Sequence, residues 1–363
     1  MVVILDVKRS IDAALFGISE VVGTGIDWPG QAIRVYVDRY TPAVDRKIPE
    51  YLSGYPVDVI ETGVFTATLN PGVGVPIPYR RMKWRPVYGG ISAGHALVTA
   101  GTLGAVVIDV NTGGLVALSN NHVFAREATD HSGAEVGDAI IQPSLYDAGT
   151  ILDGFATLER WIPLDADGEN LVDCAIAVPT EDGILIPNVV GGVVEDGSLH
   201  GIAVQGMASV TGGEIVHKYG RTTGHTSGSV IDVDFTTKVQ YPSTGQILFT
   251  DQILACLRVD GGDSGSLLLD DQNRAVGLVI ASAKADGVYY AIANKIQNVA
   301  TMIGIDFPVT DDVFAPGFNL SATPSDVASR IPGVVWVAAG VAVGATMYRL
   351  FGKGLMSSPL TRR

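Results

Sequence analysis

Between Gly89 and about Asp306 the chain is a succession of short apolar runs, each closed by a turn signal before it reaches helix length. Gly104 to Val110, Gly114 to Ser119, Val172 to Val178, Gly228 to Val233, Ile247 to Leu257, Ser266 to Leu269 and Ala275 to Ser282 read as strands. Asn111-Thr112-Gly113-Gly114, Asp165 to Asn170 and Asp270 to Asn273 separate them. Runs of this length, bounded by Gly, Asn and Asp, are the pattern of an all-β barrel or sandwich. The 44 glycines and 18 prolines are spread along the chain, which favours many tight turns over long helices. Only Tyr290 to Ile303 returns to helical spacing within this region.

The flanks have a different character. Val7, Ile11, Ala14, Leu15 and Ile18 share one face of a helix predicted over about residues 6 to 20. Val21 to Asp27 and the alternating Ala32 to Val37 follow as strands around a Trp-Pro-Gly turn. A short helix around Asp45 to Leu52 and a strand Val57 to Thr62 complete a small α+β domain over residues 1–70. It holds no catalytic constellation, so its expected role is packing, capping or oligomerisation. Residues 71–88 contain Pro71, Pro76, Pro78 and Pro86 and read as a linker crossing a surface, with Arg80, Arg81, Lys83 and Arg85 solvated. After a second linker at 307–330, residues 331–363 form an apolar helical tail. Ile331 to Tyr348 carries no charge over 18 residues and has basic residues after it. That fits a membrane anchor at its lower length limit. Its richness in Ala, Gly and Val equally fits a helix docked on the body or on a second subunit, so both membrane association and a homo-oligomer stay open.

Composition excludes some classes. A net charge of −14 without a Lys/Arg cluster of the kind that tracks a phosphate backbone argues against a nucleic-acid partner. The two cysteines, Cys174 and Cys256, lie in apolar runs and read as buried thiols rather than a disulfide framework. Lys8 and Arg9 are not followed by an apolar run long enough for a signal peptide, so a cytoplasmic protein is expected.

The chemistry concentrates in Gly261-Gly262-Asp263-Ser264-Gly265-Ser266. A serine hydroxyl attacks only when a base takes its proton and a rigid loop presents it. Flanking glycines permit the tight turn, and the N–H groups of Gly262 and Ser264 can converge on an oxyanion. The base is expected in His122, at the end of the apolar run Leu115 to Ser119. Asp173 opens the strand Cys174 to Val178, where an unpaired carboxylate is costly, so it is the expected partner of the imidazole. Asp153, Asp165 and Asp167 compete less well from polar, turn-like sequence. The order His122, Asp173, Ser264, with gaps of 51 and 91 residues, matches the order of the chymotrypsin triad.

Through Asn121-His122, Val172-Asp173-Cys174-Ala175-Ile176 and Gly262 to Ser266 the sequence resembles the trypsin-like superfamily. It looks most like bacterial relatives of the plant narrow-leaf protease, on Arg85 to Gly90, Thr99 to Gly104, Leu118 to His122, Gly137 to Pro143 and Tyr219 to Gly224. The likeness spans about residues 85–306 and implies two six-stranded antiparallel β-barrels with the triad between them. It implies that Asp263 is a structural acid and that Gly277 to Ser282 (including Ile280, Ala281 and Ser282) forms the wall along which a substrate strand pairs. It also puts Arg258 at the base of a specificity pocket, which would favour acidic side chains. Three positions depart from the pattern. Ser266 replaces a glycine, Val123 replaces a cysteine, and Ile280 stands where a serine usually approaches the catalytic aspartate.

The expectation is therefore a serine endopeptidase acting on polypeptides by acyl transfer, with no metal or organic cofactor. The rival is a protease fold used for assembly, with self-cleavage or little turnover. His217 and His225 flank the Gly-Arg-Thr-Thr-Gly segment and can approach the pocket, but no histidine has metal-ligand spacing.

Overall fold

A computed structural model describes residues 4–27, 32–67, 79–129, 133–181, 183–195, 198–308 and 319–320 of the chain. It is mostly β, with the alternation of short strands and turns that the glycine pattern predicts.

One sheet has seven strands, in the order Ile305–Asp306, Ala105–Asp109, Leu115–Ser119, Ala175–Pro179, Gly154–Trp161, Ala139–Ile141 and Gly94–His95. Every neighbouring pair in it is antiparallel. Val106, Ala117, Phe124, Phe155, Leu158 and Ala175 fill one face. The other face contributes Val107, Val116, Leu118 and Ile176, which pack with Leu267, Leu278, Ile296 and Ile303. Those last four belong to the second sheet and the helix after it, so one core joins the two halves. Each such side chain, fully buried, contributes about 1.5–3 kcal/mol.

The second sheet has twelve strands. Its centre is Ile215–Gly220, Gly224–Tyr241, Gly245–Cys256, Leu267–Asp270, Ala275–Ala285 and Val288–Lys295. A smaller sheet of four strands includes Val87–Gly89, Leu185–Glu195 and Ser198–Ala203. The sheets are thus larger than two sets of six strands. One cause is Gly224–Tyr241, 18 residues long: Gly245–Cys256 pairs with it as far as Tyr241, but Ile215–Gly220 covers its other edge only as far as Ser229. Val21–Asp27 takes that edge, with Gly23 opposite Thr237 and Thr24 opposite Thr236. Ala32–Val37 and the parallel Tyr55–Glu61 extend the sheet further.

The N-terminal strands are therefore continuous with the sheet that carries the serine loop, not a separate layer. The helix Ile4–Leu15 packs on them, and its Lys8 is buried with Nζ 2.9 Å from both Asp12 Oδ2 and Thr236 Oγ1. The second predicted helix is shorter and earlier, Pro42–Asp45, where Thr41 Oγ1 accepts the Val44 N–H.

Three other sequence expectations are corrected. Tyr290 to Ile303 is not one helix: Val288–Lys295 is a strand and the helix is Ile296–Ile303. The alternation of the strand and the spacing of the helix overlap there, and pairing with Ala275–Ala285 decides the first half. The basic group near residue 80 is not simply solvated. Arg80 Nε and Nη2 donate to the carbonyls of Arg221 and Thr222 over 2.7 Å, and Arg81 is buried beside them. Cys174 is buried but Cys256 is exposed, and both are free thiols. Residues 331–348 lie outside the described residues. Among the described residues no helix is long and apolar enough to cross a membrane.

Candidate active site

His122 sits in a four-residue helix, Asn121–Phe124, that begins where the strand Leu115–Ser119 ends. Two asparagines secure this corner. Asn120 Nδ2 donates to the Asp173 carbonyl over 2.7 Å. Asn121 donates to the carbonyls of Ala128 and Ile162 and accepts the Ala128 N–H, all within 2.8 Å. The helix backbone is thereby held against the start of the strand Ala175–Pro179, and the imidazole meets Asp173.

The Asp173 carboxylate is completely buried and its oxygens are fully employed. Oδ1 accepts the His122 N–H at 3.1 Å. Oδ2 lies 2.5 Å from His122 Nδ1 and also accepts the Tyr241 hydroxyl at 2.6 Å. The Asp173 N–H donates to Asn294 Oδ1 over 2.8 Å, and Asn294 is held in turn by Gln252. Burial opposes ionisation of this carboxyl, yet the imidazole, the hydroxyl and the His122 N–H outweigh it and hold the group below its ordinary value. Burial, followed by the adjacent carboxylate, drives the Tyr241 phenol well above its usual range, so it remains a donor. With Nδ1 committed to a carboxylate, the proton-accepting nitrogen is Nε2, which is buried without a hydrogen-bond partner.

The serine loop arrives from the other half of the core. Gly262 and Gly265 both have positive φ, +94° and +89°. A Cβ on Gly265 would lie 2.2 Å from Ser119 Oγ and 2.4 Å from the Thr102 carbonyl, so only glycine permits this approach. Thr102 fixes the turn: its N–H donates to the Ser264 carbonyl and its Oγ1 to the Gly262 carbonyl, over 2.9 and 2.8 Å. The loop is thus fastened beside the strand that leads to His122.

Ser264 is 3% exposed, and its hydroxyl donates to the Ile280 carbonyl over 3.3 Å. No hydrogen bond joins it to His122 Nε2 in this arrangement. Asp263 accepts from Thr222 N, Thr223 N, Thr223 Oγ1 and Asp260 N, and the ammonium of the buried Lys218 stands 3.5 Å away. Those bonds leave it no part in proton transfer and make it a brace for the loop.

The remaining expected positions divide. Ile280 and Ala281 are buried, so their side chains belong to the core while the Ile280 carbonyl reaches the serine. Ser282 meets a backbone strand, treated below. The Arg258 side chain is 56% exposed, pairs with Asp260 at 2.8 Å and lies over the Tyr289 ring. His217 and His225 cluster with Tyr219 through ring contacts, His225 stacking on it at 4.7 Å. Among the described residues no group of His, Cys, Asp and Glu side chains converges to hold a metal ion.

Sequence reasoning missed Tyr241, Asn294, Asn120 and Lys218. Tyr241 and Asn294 end or interrupt strands far from Asp173 in sequence, and no local signal links them to it. The doubled asparagine before His122 is visible in the sequence, but its bonds to Asp173, Ala128 and Ile162 are not.

The sequence matches no protein-family model and no curated protein. Among solved structures the chain is similar to Thermobifida fusca protease A, at 16% identity and a TM-score of 0.45 over 62% of this chain and 100% of that one. It is similar to a Cellulomonas bogoriensis chymotrypsin at 18% identity and a TM-score of 0.43, again over 62% of this chain and all of the other. A glutamic-acid-specific serine protease, described as using a histidine triad in substrate binding, is similar at 18% identity and a TM-score of 0.44 over 61% of this chain and 100% of that chain. These neighbours are bacterial and trypsin-like serine proteases. The chemistry assigned to the site rests on the geometry above, a buried carboxylate–imidazole pair beside a glycine-bracketed serine.

Proposed function

We propose that the protein is a serine endopeptidase that hydrolyses peptide bonds by acyl transfer. The observation that carries this reading is His122, with Nδ1 held at 2.5 Å by the buried Asp173 and Nε2 left without a partner. A solely structural buried histidine would satisfy both nitrogens.

In the reaction Ser264 Oγ leaves the Ile280 carbonyl, gives its proton to His122 Nε2 and attacks the substrate carbonyl carbon. Asp173 keeps Nδ1 protonated and stabilises the imidazolium that forms. The N–H groups of Gly262 and Ser264 receive the oxyanion, while their carbonyls remain tied to Thr102. His122 then protonates the leaving amine, and water repeats the sequence on the acyl-enzyme.

A second reading, in which the fold serves assembly with self-cleavage or little turnover, is favoured by the burial of Ser264 and by its bond to Ile280.

Reaction with a fluorophosphonate probe tests the first reading. Wild-type protein should be labelled, while Ser264→Ala and His122→Ala should not. Equal labelling of all three, or of none, removes the activated serine.

A further inference from the structure

The strand Ala275–Ala285 has two edges, and their partners differ. One edge pairs with Val288–Lys295 from Gly277 to Ala285. The other pairs with Leu267–Asp270 as far as Leu278. It then accepts the Gly265 N–H on the Val279 carbonyl and the Ser264 hydroxyl on the Ile280 carbonyl. The next stretch of this edge, just past the serine, is where a polypeptide would add as a further strand.

That stretch is already taken. Phe65–Thr66 lies along it, with Thr66 opposite Ser282 in antiparallel register. The same two residues pair in parallel with Val239 and Gln240, and the Ala67 N–H donates to the Gln240 carbonyl over 3.1 Å. Phe65 and Ala67 are both 0% exposed. The Phe65 ring meets Phe235 edge-on at 5.5 Å, in a cluster that includes Val239, Ile280 and Ala283. The segment therefore fills a slot with a main-chain edge on each side and an apolar seat for one large side chain. His122, at 1% exposure, and Ser264, at 3%, are also buried.

We infer that this slot is the substrate-strand site and that Phe65–Ala67 occupies it as an internal stand-in for substrate. The inference rests on the endopeptidase reading. It specifies the ligand as an extended polypeptide with a large apolar side chain at the Phe65 position, recognised mainly through its backbone. It also requires the N-terminal segment to leave before an external chain enters. Occupation by the segment and binding of substrate are mutually exclusive.

A reversible lock separates these states. Thr66→Cys with Ser282→Cys, in a Cys256→Ser background, puts two thiols on directly opposed residues of an antiparallel pair, within disulfide range. Two readouts are taken on the full chain, oxidised and then reduced. They are polarisation of a fluorescein-labelled Gly-Val-Phe-Thr-Ala peptide and hydrolysis of casein. The oxidised protein should bind the peptide at least tenfold more weakly than the same protein after reduction. Phe65→Ala, which weakens the seat of the internal segment, should bind the peptide more tightly than wild type. Equal binding by oxidised and reduced protein, or no gain in Phe65→Ala, overturns the inference. If binding follows the lock but no casein is hydrolysed in any state, the strand site stands and the endopeptidase reading falls.

Discussion

Replacing Tyr241 with Phe removes one hydroxyl from the site and leaves the ring in place. That hydroxyl donates over 2.6 Å to Asp173 Oδ2, alongside the two His122 donors on the same carboxylate. Asp173 and Tyr241 are each 0% exposed, so water does not take over the lost bond. A hydrogen bond to a charged group is worth about 1.5–3 kcal/mol, and that is the expected loss of stability near neutral pH.

The pH dependence follows from the sign of the shift. The folded-state pKa of Asp173 is depressed below its ordinary 3.8. Its stabilisation is complete above the unfolded value, near about 4, and is lost as pH falls through the lower folded value. Tyr241→Phe raises that folded value by removing a donor to the charged form. The gap between wild type and variant should thus be full at pH 7 and should shrink in acid as both proteins protonate Asp173. Urea unfolding of the two proteins at pH 7, 5, 4 and 3 measures this. A gap under about 0.5 kcal/mol at pH 7 would refute the reasoning, as it would place this bond below the usual range for charged groups. A gap that stays constant as pH falls through the folded values of both proteins would refute it too, because the loss would then come from packing alone.

Lys218→Met should destabilise the chain by about 3–5 kcal/mol in urea unfolding, because it leaves the Asp263 carboxylate buried without its counter-charge. Adding Asp263→Asn should recover part of that loss, and a double variant no better than the single would count against the pairing. Arg258→Ala should change stability by less than about 1 kcal/mol, as befits an exposed ion pair. It should also leave the relative cleavage of Glu, Leu and Lys peptides unaltered. A selective loss of Glu cleavage would put Arg258 in the pocket.

Much of the chain is legible without coordinates. Strand Val21–Asp27 and strand Ala32–Val37 fall at the bounds their own residues set, although nearly every residue of both is buried. His122, Asp173 and Ser264 stand out because each is a polar group set at the end of an apolar run or between glycines, where a role is required to offset its cost. The helix at Ile296–Ile303 is legible in kind but not in extent, because the residues before it satisfy strand and helix patterns alike.

What the tertiary structure alone decides is which distant groups meet. Tyr241 reaches Asp173 across 68 positions of sequence, and Asn294 reaches it across 121. Phe65–Thr66 comes to Ser282 from the far end of the chain because the strand Gly224–Tyr241 runs on past Ile215–Gly220 and takes the N-terminal strands onto that edge. Local pattern records the face each residue buries, since periodicity is a property of a single segment. The identity of the partner on that face is set by strand register and sheet order, which only the folded chain possesses.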